Sequence, residues 1–203
     1  MRGVVKARLL REEKGFTLSE VLVSMIVMTA ALFALYSVFD MGLRVFSVGN
    51  DKVEAVENAR LGLEKMQREI RAAYPYDKRD TDTTNDYLFP AGGFTSNSIT
   101  FGNDLNGDYR VDSSTEQITY SLSGGSPATL LRNGQPVVEF VQDVDGGNAL
   151  TFEYRNAAGG TVTNEADIEV VRIKLEVAVD RGIQEQPVSQ ILTTDVALRN
   201  RSE

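Results

Sequence analysis

The sequence predicts an α+β fold in which one long N-terminal helix precedes an antiparallel β-sheet domain. Two observations predict the helix: an uncharged apolar run extends from Val21 to Phe39, and apolar residues at helical spacing follow it. A third observation predicts the sheet, because the apolar period beyond Pro75 changes to strand-like alternation. The chain of 203 residues is long enough for one such domain beyond a membrane-spanning helix.

The first half of the predicted helix has the length and composition of a membrane span. From Phe16 to Phe39 the segment contains 24 residues, close to the roughly 20 that cross a bilayer core. Five basic residues precede it, whereas Arg44 and Lys52 are the nearest ones after it. Because basic residues concentrate on the cytoplasmic side, we expect the N-terminus in the cytoplasm and the remaining chain on the other side.

The second half of the predicted helix is amphipathic. Its apolar residues recur at alternating spacings of three and four, which places them on one helical face: Val56, Ala59, Leu63, Met66, Ile70 and Ala73. Pro75 disfavours helical conformation at Tyr74 and ends the helix there. Gly42 and Gly49 are expected to loosen the helix between its halves, since glycine costs about 1 kcal/mol against alanine.

The remaining chain predicts short strands joined by turns. An Asn133-Gly134 pair between two apolar segments predicts a type I′ hairpin. A polar stretch over residues 80–85 predicts a loop, and Asp180-Arg181-Gly182 predicts a turn before the last strand. The predicted strands are Ser98 to Phe101, Gln117 to Leu122, Thr129 to Arg132, Pro136 to Val141, Leu150 to Arg155, Val171 to Val179 and Val188 to Leu198.

Composition excludes several kinds of site. The chain has no histidine and no cysteine, so neither a Ser-His-Asp nor a Cys-His arrangement is available, and no disulfide stabilises the fold. Without the five basic and two acidic residues before Phe16, 16 basic and 27 acidic residues remain, a formal net charge of −11. Six cations lie between Arg60 and Arg79, but acids are interleaved with them as on a solvated helix face. Nucleic-acid binding is therefore not expected.

Glu20 is the only charged residue between Lys14 and Asp40. A carboxylate at the edge of a membrane helix is costly unless it has a partner. The stretch Lys14-Gly15-Phe16-Thr17-Leu18-Ser19-Glu20 resembles the processing signal of type IV prepilins and pseudopilins. The resemblance implies that a prepilin peptidase cuts between Gly15 and Phe16, that the new amine of Phe16 is methylated, and that Glu20 guides assembly.

The same resemblance implies a pilin-like domain plan. Residues 1–15 are the cleaved leader, 16–40 the transmembrane and filament-core helix, 41–74 the amphipathic helix and 75–203 the β-rich globular domain. The length and the ending Val196-Ala197-Leu198-Arg199-Asn200 are more similar to a W-type minor pilin or a J-type pseudopilin than to a major pilin.

The function implied is structural and non-enzymatic. A minor pilin would prime or cap a type IV pilus, and a J-type pseudopilin would stand at the tip of a type II secretion pseudopilus. The partners implied are other pilins or pseudopilins, the prepilin peptidase, an inner-membrane assembly platform and membrane lipid before assembly. The location implied is the inner membrane, then a periplasmic or surface filament; which filament system it is stays open.

Four other interpretations remain to be tested. A secretory signal peptide would be cut after the apolar run, yet the best small-residue site, Thr29-Ala30-Ala31, lies within it. A plain signal anchor would not be cut. The globular domain could instead be an adhesive, ligand-binding module. A carboxylate-based hydrolase is the remaining alternative, although the sequence selects no pair of acids for that chemistry.

An acidic stretch from Asn103 to Asp112 is the second candidate site. Asp104, Asn106, Asp108 and Asp112 place side-chain oxygens at relative positions 1, 3, 5 and 9, as in calcium-binding loops. Tyr109 stands where such a loop has glycine, Thr115 stands where it has a bidentate glutamate, and Glu116 comes one place later. A turn at Asn106-Gly107 surrounded by solvated acids is the alternative. Calcium is thus a candidate ligand, and no cofactor is required.

Overall fold

The computed structural model describes residues 15–77, 87–112, 114–144, 146–179 and 188–200. Helix α1 (Leu18–Arg71) contains 54 residues, and the strands are β1 (Ile99–Gly102), β2 (Gln117–Leu122), β3 (Ala128–Arg132), β4 (Gln135–Val141), β5 (Leu150–Arg155), β6 (Val170–Val179) and β7 (Val188–Ala197). The predicted α+β fold is confirmed. The predicted loop over residues 80–85 and the turn at 180–182 lie outside the described residues.

The chain divides into two compact units, one ending at Phe46 and the other beginning at Ser47. In the described part of the first unit, the helix from Leu18 to Phe46 is exposed along nearly its whole length. Its apolar side chains contact no core: Leu22 is 54% exposed and Phe33 is 71% exposed. Among the described helices, α1 alone is long and apolar enough to cross a membrane.

The second unit begins with the amphipathic part of α1, which packs on the sheet. The predicted apolar face is confirmed for Ala59, Leu63, Met66 and Ile70, which belong to the core. The helix ends at Arg71 rather than at Tyr74, so Ala73 lies in the core beyond the helix. Val56 is only partly buried and packs against that core. Ala55 and Gly62 are also buried, although the apolar spacing did not select them.

Gly42 and Gly49 do not interrupt the helix, because α1 is continuous from Leu18 to Arg71. Whether they weaken it stays a prediction, since it concerns the stability of the helix rather than its path. Gly62 has a different function: a Cβ built there would overlap the side chain of Val138 on β4. A glycine at this position lets the helix approach the sheet closely.

All seven strands join one antiparallel sheet in the spatial order β1-β2-β3-β4-β6, with β5 and β7 both pairing with β6. The hairpin between β3 and β4 turns at Asn133 and Gly134, whose φ angles of +49° and +76° fit a type I′ turn and confirm that prediction. The alternation predicted for Val171 to Val179 is confirmed as far as Leu175, and beyond it Glu176 and Ala178 on the opposite face are buried as well. Val171, Ile173 and Leu175 are fully buried on the core side of β6.

A half-buried polar group joins the helix to the sheet. The Tyr120 hydroxyl donates to a Glu69 carboxylate oxygen at 2.7 Å, and Arg132 Nε donates to the same carboxylate at 2.9 Å. Burial, and then the hydrogen bond to Glu69, raise the pKa of Tyr120 above its usual value. The carboxylate therefore has both a cation and a hydroxyl as partners, which offsets its loss of water.

Candidate functional site

The peptide bond between Gly15 and Phe16 lies just before α1. Both residues are exposed, and the Phe16 side chain is 81% accessible. A Cβ built on Gly15 would meet nothing within 4 Å. Packing against the described residues therefore does not require a glycine at this position.

Thr17 caps the helix immediately after that bond. Its Oγ1 accepts a hydrogen bond from the Glu20 N–H at 3.3 Å, and its carbonyl oxygen accepts from Val21 N–H at 3.2 Å. Thr-x-x-Glu is the sequence pattern of a capping box, in which the threonine satisfies an amide of the first turn. This cap was missed by the sequence analysis, although the spacing of Thr17 and Glu20 indicates it.

Glu20 itself lies in the first turn of α1 and is exposed to solvent. A carboxylate here is favourable to the helix because the amide dipoles place positive charge at the N-terminus. Phe16 precedes α1, which begins at Leu18. Glu20 therefore lies in the first helical turn, four positions after Phe16 in the chain.

This N-terminal segment matches a known family model. The model of the prokaryotic N-terminal methylation motif matches residues 10–36. The chain carries the N-terminal motif of type IV prepilins and pseudopilins. The motif indicates a pilin-like structural protein that is processed by a prepilin peptidase and assembles with other pilins or pseudopilins. It also fits, together with the apolar helix, a single-pass anchor in the inner membrane. No curated protein and no solved structure matches the chain.

The acidic stretch forms an ordered loop before β2. Asp104 accepts hydrogen bonds from the N–H groups of Gly107 and Tyr109, at 2.7 and 3.0 Å. Asn106 Oδ1 accepts from Asp108 N–H at 2.8 Å. The side chains of Asp104 and Asn106, at positions 1 and 3 of the predicted calcium loop, therefore hydrogen-bond to backbone N–H groups that follow them, as in Asx turns.

The next two acids continue that pattern. Asp108 Oδ1 accepts from Arg110 N–H at 3.0 Å, and Asp112 Oδ1 accepts from both the N–H and the hydroxyl of Ser114. The bonds from Ser114 hold the pKa of Asp112 below its usual value. Among the described residues, no group of three or more Asp, Glu, His or Cys side chains is arranged to hold a metal ion.

Glu116 stabilises this loop through hydrogen bonds that its position in the sequence did not indicate. It is 3% exposed, and its carboxylate accepts from Leu105 and Asn106 through Oε1 and from Asp112 through Oε2. Three backbone N–H groups from both ends of the loop thus converge on one buried carboxylate. Glu116 ties the two ends of the loop together.

Tyr109 takes the place of the glycine that calcium loops have at their sixth position. Its φ is +64°, in the left-handed region that disfavours side chains. The side chain points outward and is 61% exposed. A residue with a side chain in this conformation has a cost in backbone strain.

Proposed function

We propose that this protein is a minor pilin, a structural subunit that primes or caps the assembly of a type IV pilus. One observation carries the proposal: the methylation motif precedes a helix half that is apolar on all sides and leads into a separate β-rich unit. An apolar surface of this kind is stable in lipid or among other apolar helices. The protein would be held in the membrane by this helix and then moved into the filament core.

Glu20 would define the position of each subunit in the filament. Cleavage after Gly15 creates an ammonium at Phe16, and the Glu20 carboxylate of a neighbouring subunit can pair with it. In an apolar core, a shift by one residue would leave both charges without partners, so the pair favours one axial register. The Thr17 cap supports this role because it starts the helix directly after the new N-terminus.

The first test is the intact mass and N-terminal sequence of the protein extracted from its native membrane. We expect a chain that begins at Phe16 and carries one added methyl group. A chain that begins at Met1 would indicate a signal anchor, and one cut near Ala31 would indicate secretion. Either result would contradict the proposal.

A second test concerns Glu20 directly. Glu20→Ala should be cut and inserted normally but should be poorly incorporated into filaments. Glu57→Ala, on the exposed part of α1 in the second unit, is the matched control and should assemble normally. Wild-type incorporation of Glu20→Ala would overturn the assembly role.

A J-type pseudopilin would have the same motif and helix. The two functions differ in where the assembled protein is found: a minor pilin is recovered in pili sheared from the cell surface, and a pseudopilin stays in a short periplasmic filament. Probing sheared pili and cell bodies with an antibody to the globular unit distinguishes them.

Calcium binding at Asp104, Asn106, Asp108 and Asp112 is a separate proposal. Two features support it: Tyr109 has the backbone conformation of the loop glycine, and nearby Asn103 is 7% exposed with an Oδ1 atom that has no hydrogen-bond partner among the described residues. The donors are all oxygen, which suits calcium. The melting temperature should be higher in calcium than in a chelator, and Asp108→Asn should reduce the difference. An unchanged midpoint at saturating calcium would contradict a stabilising site.

A further inference from the structure

The second unit has a groove lined by arginines on the exposed face of its helix. Arg68 and Arg71 of α1 line the groove from the helix, and Arg199 lines it from the segment that follows β7. Glu64 is the acid among its described lining residues. We call this surface the arginine groove. It brings together cations from the helix and from the segment after the last strand, which sequence spacing alone did not connect.

The segment that carries Arg199 is held in place beside the helix. Leu198 N–H donates to the Glu169 carbonyl oxygen at 3.0 Å, and Asn200 Nδ2 donates to the Ala73 carbonyl oxygen at 3.1 Å. Arg199 lies between these two attachments in the chain. Its backbone position is therefore fixed by the fold, and the arginine groove is a feature of the folded unit.

The cations of the arginine groove have no ionic partner in the described part of the chain. Arg68, Arg71 and Arg199 form no ion pair with any described residue. Glu69, the acid next to Arg68 in sequence, pairs with Arg132 of β3 instead. Three guanidiniums and one carboxylate leave the lining a formal charge of +2, in a chain whose net charge beyond residue 15 is −11. Like charges held in one groove repel one another unless an anion lies between them.

The lining of the arginine groove defines the chemistry of its ligand. A guanidinium binds a carboxylate through two parallel hydrogen bonds, and it also stacks on aromatic rings. Leu61 lines the same groove and is 65% exposed, which adds an apolar contact. The groove therefore fits a segment that carries carboxylates together with an aromatic and an aliphatic side chain.

The acidic loop over residues 104–112 carries this combination of groups. It holds three aspartates against one arginine, which gives a formal charge of −2. Leu105 and Tyr109 extend from it and are 72% and 61% exposed. The buried Glu116 carboxylate ties its two ends together, so the loop is ordered before it binds and loses little conformational entropy. Charge and side-chain type therefore match between the loop and the groove.

The loop does not occupy the arginine groove of its own chain. None of the described loop residues lines that groove. Asp108 and Asp112 instead line a separate cleft with Tyr76 and Gln117. The two surfaces are therefore separate on one chain, and a contact between them requires two molecules.

We propose that the acidic loop of one copy of this chain docks in the arginine groove of a second copy. The aspartates would pair with the guanidiniums, the Tyr109 ring would stack on one of them, and Leu105 would contact Leu61. Because the two surfaces differ, the contact leaves one groove and one loop unoccupied in every pair, so it can extend to further copies. The inference does not rest on the proposed minor-pilin function, since the contact requires neither cleavage at Phe16 nor a filament.

Cross-linking between two singly labelled chains tests the contact. The chain has no cysteine, so Arg110→Cys labels the loop and Gln67→Cys labels the groove. The two full-length variants are mixed in detergent that contains a chelator, and a short bis-maleimide joins cysteines that lie close together. Thr193→Cys on β7 replaces Gln67→Cys in the matched control, because Thr193 is exposed and lies outside the groove. We expect roughly ten-fold more cross-linked dimer with Gln67→Cys.

Charge reversal shows whether opposite charges hold the two copies together. Arg71→Glu in the groove-labelled chain and Asp108→Arg in the loop-labelled chain should each lower the cross-link yield roughly ten-fold, and the two together should restore most of it. High salt should lower the yield of the unreversed pair as well. Equal yields from Gln67→Cys and Thr193→Cys, or no recovery when both charges are reversed, would overturn the proposal.

Tyr109→Gly keeps the proposal testable if Asp108→Arg disturbs the loop. Glycine readily adopts the φ of +64° found at Tyr109, so the melting temperature should not fall. Removal of the ring should lower the cross-link yield about three-fold or more. Phe140→Gly is the matched control, since Phe140 is also an exposed aromatic at positive φ and lies on β4. An undiminished yield from Tyr109→Gly would contradict the contact.

Two other results have distinct meanings. If residues 201–203 of the same chain filled the groove, Arg71→Glu would change the melting temperature of the labelled chain and leave the cross-link yield as it was, which contradicts the proposal. A protein that still begins at Met1 in its native membrane would overturn the proposed function, and it would not affect the cross-linking result.

Discussion

The two halves of α1 have similar backbones and opposite surroundings. Met28 in the first half is 64% exposed, whereas Met66 in the second half is fully buried. The first half is apolar on all sides and packs on nothing within its own unit. The second half is mostly polar outside the stripe that packs on the sheet, with Val53 and Leu61 as exposed apolar exceptions. The difference indicates that one helix serves two environments: the chain supplies the apolar partner for the second half, and lipid or other subunits must supply it for the first.

The largest expected effect comes from truncating the buried methionine. Met66→Ala removes a side chain from the core and should lower the free energy of unfolding of the globular unit by about 2–5 kcal/mol. Met28→Ala is its matched control and should change that free energy by less than about 0.5 kcal/mol. Urea unfolding of the full chain in detergent, followed by tyrosine fluorescence, measures both. Equal effects would mean that the two halves do not differ as described.

A smaller effect is expected from adding one methyl group to each half. Gly62→Ala places a Cβ against the Val138 side chain and should destabilise the globular unit by about 1–3 kcal/mol. Gly42→Ala meets nothing within 4 Å and should leave that unit unchanged, with a gain in helix propensity of up to about 1 kcal/mol. If Gly62→Ala were neutral, the close approach of the helix to the sheet would be wrong.

Ion pairs should show the same contrast between the halves. Arg132→Ala leaves the Glu69 carboxylate, which is 18% exposed, without its cation, and should cost roughly 1–2 kcal/mol. Arg44→Ala removes the exposed pair with Asp40 in the first half and should cost no more than about 0.5 kcal/mol. A cost for Arg44→Ala as large as that for Arg132→Ala would contradict the difference in burial.

The smallest effect is a dependence on alkaline pH. The folded chain raises the pKa of Tyr120, so the unfolded chain loses this proton first as pH rises. The stability that this tyrosine contributes is present below its unfolded pKa of about 10 and is lost progressively above it. Tyr120→Phe should make the free energy of unfolding fall less steeply with pH between roughly pH 9 and 11.

Sequence patterns predicted the helix and all seven strands because both kinds of element have short repeats. The apolar stripe that includes Leu63 and Met66 specifies a helical face, and Asn133-Gly134 specifies a turn that needs two positive φ angles. The ends of β1, β3, β4, β6 and β7 differ from the predicted ends by one residue. Strand order was not predictable, because pairing depends on contacts between distant residues.

The candidate site residues also differ in whether a local sequence pattern could predict their role. Gly15, Phe16 and Glu20 were found because they are neighbours in the chain and match a local motif. By its spacing, Glu116 comes one position after the place of the bidentate glutamate in a calcium loop. Its contacts with Leu105 and Asp112 depend on how the loop closes. The network of Glu69, Tyr120 and Arg132 joins residues more than 50 positions apart and has no sequence signature.

The sequence by itself determined the kind of protein this is: the methylation motif, the uncharged apolar helix and the alternating strands can each be recognised from residues close together in the chain. Only the tertiary structure decided that Gly62 allows close packing, that Glu116 closes the acidic loop, and that β7 pairs with β6 alone among the described strands. Each of these depends on which distant backbone groups meet, and a hydrogen bond or a steric contact between such groups leaves no regular pattern in the order of the residues.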